Sequence, residues 1–540
     1  MLSFKLFIKL FTKIVINLLL IFFLSQYILM AQTREVVAYY PEGGVKHLHY
    51  YVKNIETAGS ANKITTLIYA FCEPKPDSSG TIIPDFRNAY EAYQQVYNSR
   101  MSIDGIADDS TQPLRGQFNQ LKKLKVRHPA LKILISIGGW GGSKYISDAA
   151  LTPESREKFV DEIISRYIFG NLPVVNNAGG KGAAAGIFDG VDIDWEFPLK
   201  GGLDGIHNNK KDKENLTALL ALFRKKFDEI NPALVLTEAV PSDKPNIDNY
   251  DLKTDQKYLN WINLMTYDYN GNWEVKTAHH TNLLTSPDDA PNNVIPHSFD
   301  RSVKYLLDIL GIKSYKIVPG VAFYGKYWID VDSINNGLYQ PGKDSSGIFK
   351  PGFNKYSNLS TLHYEGYKYY WDTLAMAPWF YNHTEKIFWT YDDPKSISLK
   401  VHYERAYHLG GIMCWEISSD DSNGTLINTM YSGRMPDIKI DNPRLGKSKP
   451  VIGITSPNNN SIVSAGSNVI INTNETDKGG TVLKVEYFGD DKYLGYDTKV
   501  PFDWVWFNVN NGKHKIVVVA TDNNGNQAIS KPVYFIAGKK

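Results

Sequence analysis

Two cysteines in 540 residues, Cys72 and Cys414, are too few for a disulfide framework. Both sit inside apolar runs, where a buried free thiol is the simpler expectation. Charge of one sign is equally scarce: 59 Lys and Arg face 57 Asp and Glu, without the basic excess that nucleic acid attracts. Nucleic acid is therefore not an expected partner. After residue 30 no apolar run reaches spanning length, so no membrane segment is expected in the body of the chain. Solenoid repeats and low-complexity tracts are missing too, which removes repeat arrays from consideration. Among the 12 histidines, His279 and His280 have no further ligand at metal-binding spacing; they are expected in a solvated loop, and no metal or other cofactor is expected.

The one long apolar run stands at the start. Lys5, Lys9 and Lys13 lead into Ile14 to Phe23, which continues patchily to Met30 before Ala31. This reads as a secretory signal peptide over residues 1–31, with a membrane anchor as the alternative, since Leu29 replaces the small residue usual before a cleavage site. Without the three lysines the balance is 56 cations against 57 anions, about −1. The expected product is secreted, extracellular or periplasmic, free of the membrane and monomeric. Its aromatic content, 13%, supplies many flat rings, which suit sugars and protein cores alike.

Eight short apolar runs alternate with helical patterns along the body. They are Val36 to Tyr40, Thr66 to Cys72, Ile133 to Ile137, Gly190 to Glu196, Leu234 to Val240, Ile262 to Tyr267, Ile317 to Ala322 and Gly411 to Trp415. Between them, Ser155 to Tyr167 and Lys213 to Ile230 carry apolar residues at helical spacing, the second through Leu216, Leu219, Leu220, Phe223 and Phe227. Eight strand–helix alternations predict an α/β protein, a (β/α)8 TIM barrel over residues 35–435. The stretch between the seventh and eighth runs is far longer than one helix needs, and residues 326–386 are rich in Tyr, Gly and Trp; an inserted α+β subdomain is expected there. A linker is expected at 436–450 and an all-β Ig-like sandwich at 451–537, where short alternating segments are separated by turn signals. In that last segment Phe502, Trp504 and Trp506 share one strand face, which reads as core with an exposed ligand-binding platform as the alternative.

One stretch concentrates chemistry. DGVDIDWEF, residues 189–197, places Asp192, Asp194 and Glu196 on one strand face and Val191, Ile193 and Trp195 on the other. Neighbours at i and i+2 on a strand lie about 6–7 Å apart, so like charge and partial burial should raise at least one carboxyl pKa. That is a general-acid signature, although an acid cluster can also bind Ca²⁺ or Mg²⁺. Asp189, three positions before Asp192, faces the other way and reads as structural.

This stretch matches the DxxDxDxE motif of the family 18 glycoside hydrolases, the chitinases. Ser136 to Trp140 (SIGGW) resembles the family's third-strand motif, Met265 to Gly271 (MTYDYNG) its sixth and Gly411 to Asp421 (GIMCWEISSDD) its eighth, in the correct order. The likeness covers roughly residues 35–435, and Lys326 stands where bacterial members often have Arg. The resemblance implies Glu196 as the proton donor, Asp194 as the carboxylate that orients and balances the substrate's acetamido group, Asp192 behind it, and Tyr267 as a hydroxyl donor to the acetamido oxygen. It further implies substrate contacts at Trp415, Trp140, Asp268, Met265, Trp273 and Tyr324, with Tyr39 and Ser136 as partners of Asp192; core packing is the alternative for several of these. The implied substrate is chitin or chito-oligosaccharides, cleaved with retention because the acetamido oxygen is the nucleophile. An endo-β-N-acetylglucosaminidase acting on N-glycan cores, or an inactive chitin-binding protein, is the alternative.

Overall fold

The computed structural model describes residues 34–286, 289, 297–344, 354–433, 450–477, 481–490, 492–498, 500–522 and 527–538. The expected signal peptide and residues 436–449 of the expected linker lie outside them. Contacts divide the chain into two compact units that part near Pro436.

In the first unit, eight parallel strands close into a barrel. They are Glu35–Pro41, Thr66–Pro76, Lys132–Gly138, Gly190–Asp194, Val235–Pro241, Trp261–Met265, Ile317–Ala322 and Gly411–Trp415, the last pairing back onto the first. Strand Ile82–Phe86 adds to the second strand antiparallel. These segments are strands because both faces are apolar, and an α/β barrel buries both. The outward face packs on helices: Val191, Ile193 and Trp195 lie in the large shell core, as do Leu216, Leu219, Leu220, Phe223 and Phe227 of helix Asp212–Ile230. Burying such side chains contributes about 1.5–3 kcal/mol each. The inward face forms a second, smaller core of Val37, Ile68, Leu134, Trp261, Val318 and Met413. Cys72 and Cys414 are buried free thiols. The sixth strand ends at Met265, so Tyr267 stands in the loop above it rather than in the strand.

After the seventh strand the chain builds a four-stranded antiparallel sheet, spatial order Gly325–Trp328, Ile387–Tyr391, Ala377–Asn382, Lys368–Asp372. Trp328, Trp379, Tyr381 and Phe388 form its own small core. The sheet closes only with Ile387–Tyr391, beyond residue 386, because Gly325 to Trp328 pair with that strand. Helix Pro394–Ala406 then leads to the eighth strand, started by the Asp393 carboxylate accepting from the Ser396 N–H at 2.7 Å.

The second unit is all β. One sheet joins Val451–Ser456, Val469–Thr476 and Asp503–Trp506, and the other is built on the long strand Gly512–Asp522. Phe502 is buried, Trp504 stacks on Tyr487 at 5.7 Å and Trp506 meets Phe535 edge-on at 5.8 Å, so the aromatic stripe packs inward. Among the described residues no helix is long and apolar enough to cross a membrane.

Candidate active site

Parallel register sets the floor of the site. Ser136 pairs with Asp192 and Asp192 with Thr237, which lines three inward-facing polar residues across neighbouring strands. Asp192 is fully buried and accepts four hydrogen bonds: from Tyr39 Oη at 2.9 Å, Ser136 Oγ at 2.7 Å, Thr237 Oγ1 at 2.6 Å and Asn263 Nδ2 at 3.1 Å. Burial raises its pKa, and these donors oppose the rise. Tyr39 and Ser136 were expected from the sequence, while Thr237 and Asn263 were missed. The signal for Asn263 was a lone polar residue in the strand Trp261–Met265, and for Thr237 the polar pair Thr237–Glu238 inside an otherwise apolar run.

Asp194 stands one step higher, also buried. Its Oδ1 has no hydrogen-bond partner. Burial, then the charges of Glu196 and Asp192, raise its pKa well above the usual carboxylate range. The backbone there is tightly enclosed by the SIGGW turn. Gly139 N–H donates to the Asp194 carbonyl at 2.7 Å, and a Cβ on Gly138 would lie 2.2 Å from that oxygen. Gly138 also has φ +111°, so only glycine serves.

Glu196 lies past the strand end, facing the cleft. Its N–H donates to Ser143 Oγ at 2.9 Å, and Tyr250 Oη donates to the preceding carbonyl, of Trp195, at 2.6 Å. Burial, then the charge of Asp268, push its carboxyl up to about 8. Asp268 itself goes the other way. Burial works to raise it, but the Lys326 ammonium at 3.1 Å, His280 and the Tyr324 hydroxyl at 2.6 Å hold it well below the usual range. Its side chain still keeps 44% of its surface open to the cleft. One carboxyl is protonated and its neighbour ionised, the arrangement that separates acid from charge carrier.

A cleft of about 390 Å³ collects these groups. Asp194, Glu196, Tyr267, Asp268, Tyr324, Met265, Tyr39, Trp140 and Trp415 line it, and Asp192 and Ser136 lie beneath. Trp415 is the aromatic floor, stacked against Phe71 at 5.6 Å and 21°. Phe71 and Arg87 also line the cleft and were missed by the sequence reading, because nothing in their local pattern distinguishes them from core or surface. Trp140 is 52% exposed. Trp273, 56% exposed, lies outside the lining but under Lys326, whose Nζ is 4.8 Å from its ring centroid. Asp189 is structural: its carboxylate accepts from the Ile133 N–H at 2.9 Å and pairs with Lys125. The peptide bonds Ala70–Phe71, Glu196–Phe197 and Trp415–Glu416 are cis.

One expectation is corrected. His279 and His280 are buried, not solvated. The loop after the sixth strand folds back under the inserted sheet, where His279 meets Trp379 at 5.9 Å and His280 meets Tyr324 at 5.3 Å.

The family model "Glycosyl hydrolases family 18" matches residues 35–420. The chain belongs to family 18 of the glycosyl hydrolases. A model described as "Bacterial Ig domain" matches residues 450–518 of this family 18 protein, within its second unit. It is 31% identical over 460 residues to Chitinase A1 of Niallia circulans, covering 79% of this chain and 63% of that one. It is 32% identical over 428 residues to a probable endochitinase of Orgyia pseudotsugata multicapsid polyhedrosis virus, covering 74% and 72%. Among solved structures, the catalytic domain of psychrophilic chitinase B from Arthrobacter TAD20 superposes with a TM-score of 0.69 at 33% identity, covering 74% of this chain and 95% of that one. The family 18 chain spans less than two thirds of several curated relatives, 63% of Chitinase A1 and 58% of Chitinase C of Streptomyces lividans.

Proposed function

We propose that the protein is a secreted chitinase, a retaining glycoside hydrolase that cleaves β-1,4-linked N-acetylglucosamine polymers. The observation that carries this reading is Glu196, a carboxyl held protonated to about pH 8 at the edge of an aromatic-floored cleft, beside the buried, unpaired Oδ1 of Asp194. A protonated carboxyl there is a general acid. With the sugar ring over Trp415, Glu196 gives its proton to the glycosidic oxygen as the bond to the anomeric carbon breaks. The acetamido oxygen of the same sugar bonds to that carbon. The ring that forms is cationic, and Asp194 accepts from the acetamido N–H and balances the charge, while Tyr267 donates to the acetamido oxygen. Water then attacks the anomeric carbon as its bond to the acetamido oxygen breaks, Glu196 takes a proton from that water, and the product is the β anomer. Four hydrogen bonds fix Asp192 beneath Asp194, whose proton affinity the charges of Glu196 and then Asp192 raise, so the acids of this strand should not titrate independently.

Chromatography that resolves anomers within seconds of cleaving a chito-oligosaccharide tests the mechanism. The β anomer should form first, and a substrate with a free amine at the reacting sugar should resist. Initial α anomer would mean inversion by an activated water and overturn it. Export belongs to the same reading, with cleavage near Ala31; N-terminal sequencing of the exported protein checks it, and Met1 retained in a membrane fraction would favour an anchor.

A further inference from the structure

His280 takes no part in the steps above, yet it is wholly buried and neither ring nitrogen has a hydrogen-bond partner. A buried polar group without a partner needs a reason. Its Nδ1 lies 3.6 Å from Asp268 Oδ1, and its ring packs on Tyr324, which donates to that same oxygen. Asp268 has φ +58°, in the left-handed region without being glycine. Such a conformation persists where the surroundings over-determine it.

The segment that carries His280 is fixed from behind. The His280 N–H donates to Thr390 Oγ1 at 3.3 Å, and its carbonyl accepts from the Tyr269 N–H at 3.1 Å. Thr281 Oγ1 donates to Asp392 at 2.8 Å and accepts from Lys400 Nζ at 2.7 Å. Asp392 and Lys400 form a fully buried ion pair at 2.7 Å, and Asp392 also accepts from the Ala322 N–H at 3.1 Å, two residues before Tyr324. One ion pair thus registers the His280 segment against the Tyr324 strand, and both close on Asp268.

We propose that His280 is a positioning residue: packed behind Asp268, it keeps that carboxylate in its left-handed turn and facing Glu196, from outside the cleft. The charged groups around the imidazole are Asp268, Lys326 and Asp392. Because the charge of Asp268 helps keep Glu196 protonated, releasing Asp268 lowers the pH at which Glu196 loses its proton.

This inference rests on the hydrolytic reading, and the experiment separates the two. Wild type, His280→Leu and His280→Asn are compared on a soluble chito-oligosaccharide across pH. His280→Leu should lose on the order of 10- to 100-fold in kcat with KM little changed, since small misplacements near the reacting groups cost up to about 100-fold. Its alkaline limb should move to lower pH, and His280→Asn, which can set an amide Nδ2 near the position of Nδ1, should restore most of both. An alkaline limb unchanged in His280→Leu would overturn the proposal. Imidazole NMR needs no activity: the His280 titration midpoint should fall in Asp268→Asn, which removes the anion favouring imidazolium. An unmoved midpoint would refute the coupling, whereas an inactive wild type with a moving midpoint would refute only the hydrolytic reading.

Discussion

A carboxyl that holds its proton to about pH 8 is an acid catalyst only below that pH, so Glu196 sets the alkaline limit of turnover. The rate on soluble oligomers should therefore fall as pH rises through about 8, the value to which burial and Asp268 push Glu196. Glu196→Gln keeps the shape without the proton, and should lose on the order of 10²- to 10⁴-fold in kcat while oligomer binding survives. Near-normal turnover in that variant would remove Glu196 from its role. Stability falls in the same direction. A carboxyl raised in the folded state favours folding while protonated, and that contribution is lost as pH rises from its ordinary value through about 8. Thermal melts should therefore show Glu196→Gln gaining on wild type between pH 5 and 9, and a gap independent of pH would contradict the raised pKa. The alternating acids of residues 189–197 announced this chemistry in one dimension. Thr237, Asn263 and His280 did not, because a polar residue reveals its partner only when other strands or loops arrive beside it.

At the scale of elements, the inserted sheet and the helix after it do more than lengthen the loop between strands seven and eight. Their junction holds the Asp392–Lys400 pair, wholly buried and bonded to Thr281, Ser396 and the Ala322 N–H. Breaking one side of such a pair strands a charge in the interior. Lys400→Met should destabilise the fold by about 3–5 kcal/mol, and adding Asp392→Leu should return much of the loss. Chemical denaturation of the single and double variants measures both, and an additive double variant would show that the pair is not coupled. Strands and the long helix were readable because period and apolar content are local properties. The burial of residues 277–283 was not, since the groups that cover His280 and Thr281, namely Thr390, Asp392 and Lys400, lie more than a hundred residues further along.

Across the whole molecule, each unit has its own apolar core and its own hydrogen-bonded sheets. The Phe502, Trp504 and Trp506 stripe is spent on the second core, leaving it no free aromatic platform from those residues. A chain ending near Pro436 should therefore keep full turnover on soluble oligomers and lose at most its retention on crystalline chitin. Loss of soluble activity in a folded truncation, checked by circular dichroism beside the assay, would contradict this. The walled cleft bears on product pattern as well. Lys326, at the foot of the inserted sheet, reaches Asp268 and covers Trp273, and a groove closed on that side should release mainly disaccharides over successive turnovers. Product lengths followed by time-resolved chromatography test it, and early products of random length would count against it.

By itself the sequence determined the class of fold, the order of the strands and the three acids. Those follow from period, composition and spacing, which survive reading in one dimension. Only the tertiary structure decided which carboxyl keeps its proton, which polar residues support Asp192, and that two histidines expected in water are buried beside the site. Proton affinity and burial are set by whatever packs within a few ångströms, and here those neighbours come from distant parts of the chain.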